Sequence, residues 1–284
     1  MADTGELVRH STLFAAASVA LMTLAGCDAP KAPVEPKPVA PPTAAEQAAA
    51  QELLKATATK YALAKTYQDE GVVAIVLDTE GDAFKDRKPF STAFERDGRF
   101  RWEFKSSVQV GGKLDQRYVV WSKDGKSFKS TWTIQPGKLS EFESIVSAMA
   151  GPTGVSSGSA TVVIPLLQPG FNVRYQTTDL TDAALRGSEM VDGVECTIVH
   201  GKQAIDDADV TLWIDGDHAI RKLRALSTVN PASTPAGSPS TEKAFKVEKV
   251  ITIKPLFDAE IPDAAFQGND ATGGASGTTT PKGK

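Results

Sequence analysis

Residues Arg186–Leu226 read RGSEMVDGVECTIVHGKQAIDDADVTLWIDGDHAIRKLRAL, and apolar and polar side chains alternate along most of this stretch. A period of two residues is typical of strands that bury one face. Asp192-Gly193 and Asp215-Gly216 fall where the alternating runs reverse, and Asp-Gly pairs readily adopt the positive φ values of tight hairpin turns. The stretch therefore predicts an antiparallel meander whose apolar face other parts of the chain must cover.

More strands are predicted on both sides of this meander, again from alternation. They are Val72–Leu77, Pro89–Glu95, Arg99–Ser107, Gln116–Trp121, Ser127–Ile134 and Ala244–Lys254. Asp97-Gly98 and Asp124-Gly125 are predicted hairpin turns. Thr43 and Glu46 have the spacing of a capping box, so an alanine-rich helix is predicted from there to about Lys65.

A helical insertion is predicted between the two groups of strands. Leu139–Met149 has helical spacing with a second capping box at Ser140 and Glu143, and Gly151-Pro152 is expected to end the helix. A flexible stretch, Thr153–Ala160, and an apolar segment broken by prolines, Thr161–Phe171, follow. Because these parts suit no sheet, we predict a lid over the concave face that moves about a hinge near Gly151–Gly158. The alternative is a helix packed permanently in place.

The residues of this predicted site fall into two sets. The lid is expected to contribute Phe142, Ile145, Met149, Ile164, Leu166 and Leu167. The cavity beneath it is expected to be lined by Trp102, Phe104, Trp121, Trp132 and Trp213. Aromatic residues in strands commonly serve as core alone, so ligand binding is the more specific of two interpretations.

The N-terminal residues predict where in the cell the protein is located. The apolar run Leu13–Ala25 has 13 residues, whereas a membrane-spanning helix needs roughly 20. The run ends in Leu24-Ala25-Gly26-Cys27, which resembles the bacterial lipobox, and a proline-rich tether follows. The predicted organisation is a lipoprotein signal peptide at 1–26, the lipidated Cys27 and tether at 27–42, a folded domain at 43–266 and a disordered tail at 267–284. Cys196, left without a partner, is expected to be a buried apolar thiol.

Composition and spacing disfavour several function classes. The net charge of −4 provides no basic surface for nucleic acid. Gly154–Gly158 matches G-x-S-x-G, and Asp206 and His218 follow in the order found in hydrolases, but no strand precedes the serine. The acidic residues of 206–217 lack the spacing of a calcium loop, and His200 has no partner at metal-ligand spacing. We therefore expect neither an enzyme nor a cofactor or metal site.

Certain motifs resemble those of a known family, over roughly Thr43–Phe266. They are Tyr61…Tyr67-Gln68-Asp69-Glu70-Gly71, Val191–Cys196, Leu212–Asp215 and Phe257…Ile261-Pro262…Phe266. The chain resembles the LolA/LolB superfamily of bacterial lipoprotein carriers and receptors, especially its predicted periplasmic lipoproteins of unknown function. The resemblance implies a mainly β (α+β) fold. It is a strongly curved antiparallel half-barrel with an N-terminal helix and a helical lid covering the concave face.

The same resemblance implies a function. The chain is expected to be a lipid-anchored protein that faces the periplasm and binds a hydrophobic ligand, such as an acyl chain or lipoprotein lipid, in envelope lipid handling. The anchor is more like LolB than the soluble LolA. The outer membrane is the favoured location, and the inner membrane is the alternative because Asp28 follows the cysteine. The alternative is an envelope sensor or protein-interaction module, which a filled interior and an exposed apolar patch would favour.

Overall fold

The computed structural model describes residues 41–78, 84–109, 113–168, 170–171, 176–203, 207–229 and 245–268. Predictions about the signal peptide, Cys27 and most of the tether lie outside these residues. So do Asp206, Pro169, most of the 228–241 loop and the tail beyond 268.

Eleven strands and three α-helices make up the described fold. The helices are α1 (Ala44–Leu63), α2 (Ile145–Val155) and α3 (Ile164–Leu167). The first six strands are β1 (Thr66–Asp78), β2 (Phe84–Glu95), β3 (Phe100–Gln109), β4 (Lys113–Ser122), β5 (Phe128–Trp132) and β6 (Leu139–Phe142). The other five are β7 (Leu180–Val191), β8 (Val194–Gln203), β9 (Asp209–Asp215), β10 (Ile220–Val229) and β11 (Phe245–Phe257). Short 3-10 helices cover Ser159–Thr161 and Asp263–Phe266.

All eleven strands form one antiparallel, curved and open sheet in the order β6-β5-β4-β3-β2-β1-β11-β10-β9-β8-β7. The three α-helices pack on one side of it, which we name the concave face, and the opposite side is the convex face. One apolar cluster joins all three helices to inward-facing residues of nearly every strand. The prediction of a mainly β, antiparallel half-barrel with an N-terminal helix and a helical insertion is confirmed.

Local signals explain the turns and the first helix. The side chain of Thr43 accepts a hydrogen bond from the backbone nitrogen of Glu46, and the Glu46 carboxylate accepts one from the backbone nitrogen of Thr43, as the capping box predicts. Asp192 and Gly193 both have positive φ, at 49° and 81°, in the β7–β8 hairpin. The predicted turns at Gly98 and Gly125 also have positive φ.

The insertion differs from its prediction at two points. Leu139–Phe142 is strand β6 rather than the start of a helix, because it pairs with β5, and Ser144 instead of Ser140 caps α2. The helix also continues through Pro152 to Val155. A proline inside a helix removes one backbone hydrogen bond, but Pro152 is buried with Ala148 and Met149, and this packing holds the turn.

Strand β1 also begins earlier than predicted. The first strand was predicted from Val72, yet Tyr67–Gly71 already pair with both β2 and β11. The alternation typical of a strand is not visible here, because two of the inward-facing positions hold Asp69 and Gly71 instead of apolar side chains. Both residues are buried.

Candidate functional site

Four aromatic side chains form a continuous surface on the concave side of β3, β4 and β5. The ring centroids of Trp102 and Phe104 are 5.6 Å apart, those of Phe104 and Tyr118 6.3 Å, and those of Tyr118 and Trp132 5.5 Å. We name these four residues the aromatic wall. Tyr118 pairs with Trp132 across β4 and β5, so the register itself aligns them on one face.

Polar atoms lie within this apolar surface. The indole Nε1 atoms of Trp102 and Trp132 and the Oγ of Ser106 are buried and have no hydrogen-bond partner among the described residues. A buried polar group left unsatisfied costs about 1–3 kcal/mol. Three such groups lie on the concave side of β3 and β5, and each could donate to a hydrogen-bond acceptor.

The insertion covers the aromatic wall. We name Ile145–Leu167 the lid segment. Met149, Ile164, Leu166 and Leu167 are at most 2% exposed and belong to the same apolar cluster as Trp102. Phe142 and Ile145, the other two residues predicted for the lid, are partly buried against that cluster, although Phe142 belongs to β6. An added Cβ on Gly151 would lie 2.9 Å from the Tyr118 hydroxyl, so α2 rests closely on the wall.

Among the described residues, the α-helices pack against the concave face. A cavity of about 20 Å³ remains between the lid segment and the sheet, lined by Thr161 and Val162 on one side and by Val210, Leu223 and Lys249 among others on the opposite side. Such a volume holds about one water molecule. An acyl chain is larger than this cavity.

The predicted cavity residue Trp121 lies elsewhere. Trp102 pairs with Val120 across β3 and β4, so the next residue, Trp121, points to the convex face. Trp121 is buried there, because the chain after the last 3-10 helix passes over it and brings Gly268 against its ring. Its assignment to the ligand cavity is wrong.

Trp213 also lies on the convex face. Its neighbour Leu212 joins the main core, while Trp213 pairs with Ile198 and packs in a separate cluster with Cys196. The Trp213 Nε1 donates a 2.8 Å hydrogen bond to Glu189, and the Nζ of Lys222 lies 4.0 Å from its ring centroid. Its assignment to the cavity is wrong for the same reason as that of Trp121. Cys196 is buried, as predicted.

A buried polar group beneath α1 was missed from the sequence. The Tyr67 hydroxyl donates a 2.8 Å hydrogen bond to Asp69, and the Ile220 backbone nitrogen donates a 3.1 Å bond to the Tyr61 hydroxyl. Burial raises the pKa of the Asp69 carboxyl to about 7, although hydrogen bonds from Tyr67 and Thr92 oppose the rise. Burial also raises the pKa of both tyrosines. One signal in the sequence could have indicated this group. Asp69 follows Tyr67 by two residues, so in a strand both side chains lie on the same, inward face.

Two residues that the sequence analysis considered for catalysis or metal binding, Ser156 and His200, make hydrogen-bonding contacts within the fold. Ser156, the serine of the G-x-S-x-G match, is buried, and its Oγ accepts a 3.2 Å hydrogen bond from the Ala160 backbone within a turn. His200 contacts the Thr211 hydroxyl at 3.1 Å. Within the described ranges, no group of three or more His, Cys, Asp or Glu side chains is arranged to hold a metal ion. No helix in the described part of the chain is both long and apolar enough to cross a membrane.

Comparison with solved structures gives likenesses of fold. LprF from Mycobacterium bovis is 11% identical over 78% of this chain and 97% of LprF, with a TM-score of 0.42. LppX from Mycobacterium tuberculosis is 12% identical over 76% of this chain and 98% of LppX, with a TM-score of 0.37. A LolA superfamily protein from Nitrosomonas europaea is 11% identical over 77% of this chain and 97% of that protein, with a TM-score of 0.30.

No family model matches the chain, and no curated protein matches it in sequence. The structure itself confirms the predicted antiparallel half-barrel with helices on its concave face. These likenesses concern the fold alone.

Proposed function

We propose that this protein binds an amphipathic lipid-like ligand, with an acyl chain against the aromatic wall and an acceptor oxygen on the buried indole donors. The observation that carries the proposal is the pair of unpartnered Nε1 atoms of Trp102 and Trp132. Indole nitrogens in a finished apolar core normally find an acceptor. An ester or carboxyl oxygen of a bound lipid would supply one.

Binding requires the lid segment to leave the wall. Its buried side chains would then be replaced by the acyl chain, which gains about 0.8 kcal/mol for each CH₂ removed from water. A chain of several carbons therefore offsets the loss of contacts made by Leu166 and Leu167, which are buried in the same apolar cluster as Trp102. The described conformation corresponds to the closed, ligand-free state in this proposal.

The proposed cellular setting is the bacterial envelope, with Cys27 as the lipidated residue and the domain facing the periplasm. The support is the lipobox-like string before Cys27 and the proline-rich tether after it. Cys27→Ala should abolish incorporation of a fatty-acid label and release the protein from membranes. Unchanged labelling and membrane fractionation would remove the anchor from the proposal.

The four tryptophans permit a matched test of ligand binding. One variant, Trp121→Phe with Trp213→Phe, keeps only the concave-face tryptophans, and the other, Trp102→Phe with Trp132→Phe, keeps only the convex-face pair. Dodecanoate carrying a brominated chain quenches indole fluorescence on contact. We expect quenching in the first variant and none in the second. Equal quenching of both pairs, or of neither, would contradict binding at the aromatic wall.

A second candidate is a protein-interaction module on the same fold. The filled interior favours it, and so does the partial exposure of Ile134, Leu139 and Val146 around the edge strand β6. Native mass spectrometry of the purified full chain distinguishes the two. Co-purified lipid supports ligand binding, whereas a mass without lipid that persists after incubation with dodecanoate supports the module.

A further inference from the structure

Strands β2 and β3 separate from each other partway along their length. They pair only from Phe90 to Phe94 of β2 and from Phe100 to Phe104 of β3. Beyond Phe90, β2 continues to pair with β1 as far as Phe84. Beyond Phe104, β3 continues to pair with β4 as far as Gln109. The separation begins at Pro89, whose nitrogen has no hydrogen to donate to a neighbouring strand.

A groove of about 480 Å³ occupies the space where the two strands part, and we name it the β2–β3 gap. It is lined by Arg87, Pro89, Lys105, Ser106, Asp115, Gln116, Arg117 and Thr133. Lys105 and Arg117 pair across β3 and β4 on the convex face, whereas Ser106 and Gln116 pair on the concave face. Residues of both faces therefore line one groove.

Cations outnumber carboxylates around this gap. Arg87, Lys105 and Arg117 line it together with Asp115. Just behind them, the buried Glu103 lies 2.7 Å from Arg117 and 3.4 Å from Lys105, and it also contacts Arg101. Burial raises the pKa of the Glu103 carboxyl, but hydrogen bonds from Arg117 and the charge of Arg101 outweigh it and lower that pKa to about 2.

Among the described residues that line the gap, three cations accompany one carboxylate, that of Asp115, which leaves a local excess of two positive charges. The adjoining groove of about 320 Å³ on the convex face differs in sign. It shares Pro89 and Lys105 with the gap but is lined by three carboxylates, those of Glu70, Glu103 and Asp192, against the two lysines Lys105 and Lys254. The gap is therefore the better place for an anion.

One residue that lines the gap, Ser106, lies on the same face of the sheet as the aromatic wall. Ser106 lies two residues beyond Phe104 on the same strand and therefore on the same face. Its side chain is buried, with the residue 4% exposed, and its Oγ has no hydrogen-bond partner among the described residues. A hydroxyl in this position provides a donor between the charged rim and the unpartnered indoles.

We propose that the β2–β3 gap binds the anionic head of the ligand, a carboxylate or a phosphate, while the chain runs from Ser106 along the aromatic wall. This inference rests on the proposed lipid binding and adds the charge of the ligand and the position of its head. Charge-assisted hydrogen bonds from Arg87 and Lys105 hold the head, and Ser106 donates to it from within the sheet.

The experiment compares three probes of one chain length: dodecanoate, dodecyl phosphate and the uncharged dodecanol. Dissociation constants are measured by tryptophan fluorescence for the unaltered full chain and for Arg87→Gln with Lys105→Gln. The matched control is Lys123→Gln with Lys126→Gln, which removes two exposed cations from the β4–β5 turn. Circular dichroism establishes that each variant is folded.

We expect the gap variant to bind both anionic probes about tenfold more weakly, because one or two charge-assisted hydrogen bonds are lost. Its affinity for dodecanol should stay within about twofold of that of the unaltered chain. Weakening of only one anion identifies the head as carboxylate or phosphate. Equal effects on dodecanol, or equal effects of the control pair, would overturn the gap as the head site and leave lipid binding intact. Binding of none of the three probes by the unaltered chain would overturn both proposals.

Discussion

Lys88 on β2 donates a hydrogen bond of 2.8 Å from its Nζ to the Oγ of Ser157 in the turn that follows α2. Ser157 has a φ of +57°, and the next residue, Gly158, has a φ of +92°. A Cβ on Gly158 would lie 2.8 Å from the Nζ of Lys249. Both lysines extend from the concave face, because they pair with Val73 and Ile75 of β1. The turn of the lid segment is thus held by two strands that are neighbours of β1.

Replacing Ser157 should make the lid segment open more readily. Ser157→Gly removes the acceptor of the Lys88 bond without adding backbone strain, since glycine tolerates positive φ. The loss of about 1 kcal/mol predicts roughly fivefold faster uptake of brominated dodecanoate in stopped-flow fluorescence. Ser157→Asn is the matched control, since asparagine tolerates positive φ and keeps an acceptor. Unchanged uptake in Ser157→Gly would show that this bond does not restrain the lid.

Movement of the lid segment can be measured as a distance. Gly154 in α2 has open space where a Cβ would lie, so Gly154→Cys accepts a spin label without a clash. A second label at Lys123→Cys reports from the sheet. We expect dodecanoate to lengthen the Gly154–Lys123 distance and to leave a control distance between labels at Lys123 and Glu260 unchanged. A single Gly154–Lys123 distance in both states would mean that α2 is a fixed part of the core.

Asp69 should make stability depend on pH. The pKa of its carboxyl is about 7 in the folded protein because of burial, and about 3.9 in an unfolded chain. The folded state therefore binds the proton more tightly. Its stability should be greatest near pH 4 and fall, by up to about 4 kcal/mol, as the pH rises to 7.

Asp69→Asn, which cannot ionise, tests this dependence. Urea unfolding at a series of pH values should give a flat free energy of unfolding between pH 4 and 7 for the variant, apart from contributions of other groups. Retention of the full slope in Asp69→Asn would assign it to a different residue. Glu103→Gln should not flatten this slope, because the lowered pKa of Glu103 places its own effect below pH 4.5.

Gly71 permits no side chain. A Cβ added there would lie 2.3 Å from the Cζ of Phe90 and 2.8 Å from the backbone oxygen of Thr252. Gly71→Ala should therefore lower the free energy of unfolding by about 1–3 kcal/mol, as overpacked cores do. Gly154→Ala, in an open helical position, is the control and should be neutral or slightly stabilising. Equal stability of the two variants in urea would show that β1 and β2 can move apart.

The helix insertion shows why element boundaries were hard to predict. Leu139 and Phe142 have spacing that fits a helix, and Ser140 and Glu143 fit a capping box. The backbone of β5 instead offers partners to Leu139–Phe142, and pairing at a sheet edge outweighs the local preference. Local signals without such competition, as at Thr43 and Asp192-Gly193, were predicted correctly.

The sequence by itself determined that this chain forms a two-faced antiparallel sheet, because alternation and Asp-Gly turns act between near neighbours. It also determined that the insertion is buried, because side chains such as Met149 and Leu166 must leave water. Only the tertiary structure decided which tryptophans face the helices. Alternation separates Trp102 from Trp121, but the C-terminal chain covers Trp121 and gives both faces of β3 and β4 a buried aromatic residue. The β2–β3 gap likewise depends on where two ladders of hydrogen bonds stop, a property of paired strands that no single strand encodes.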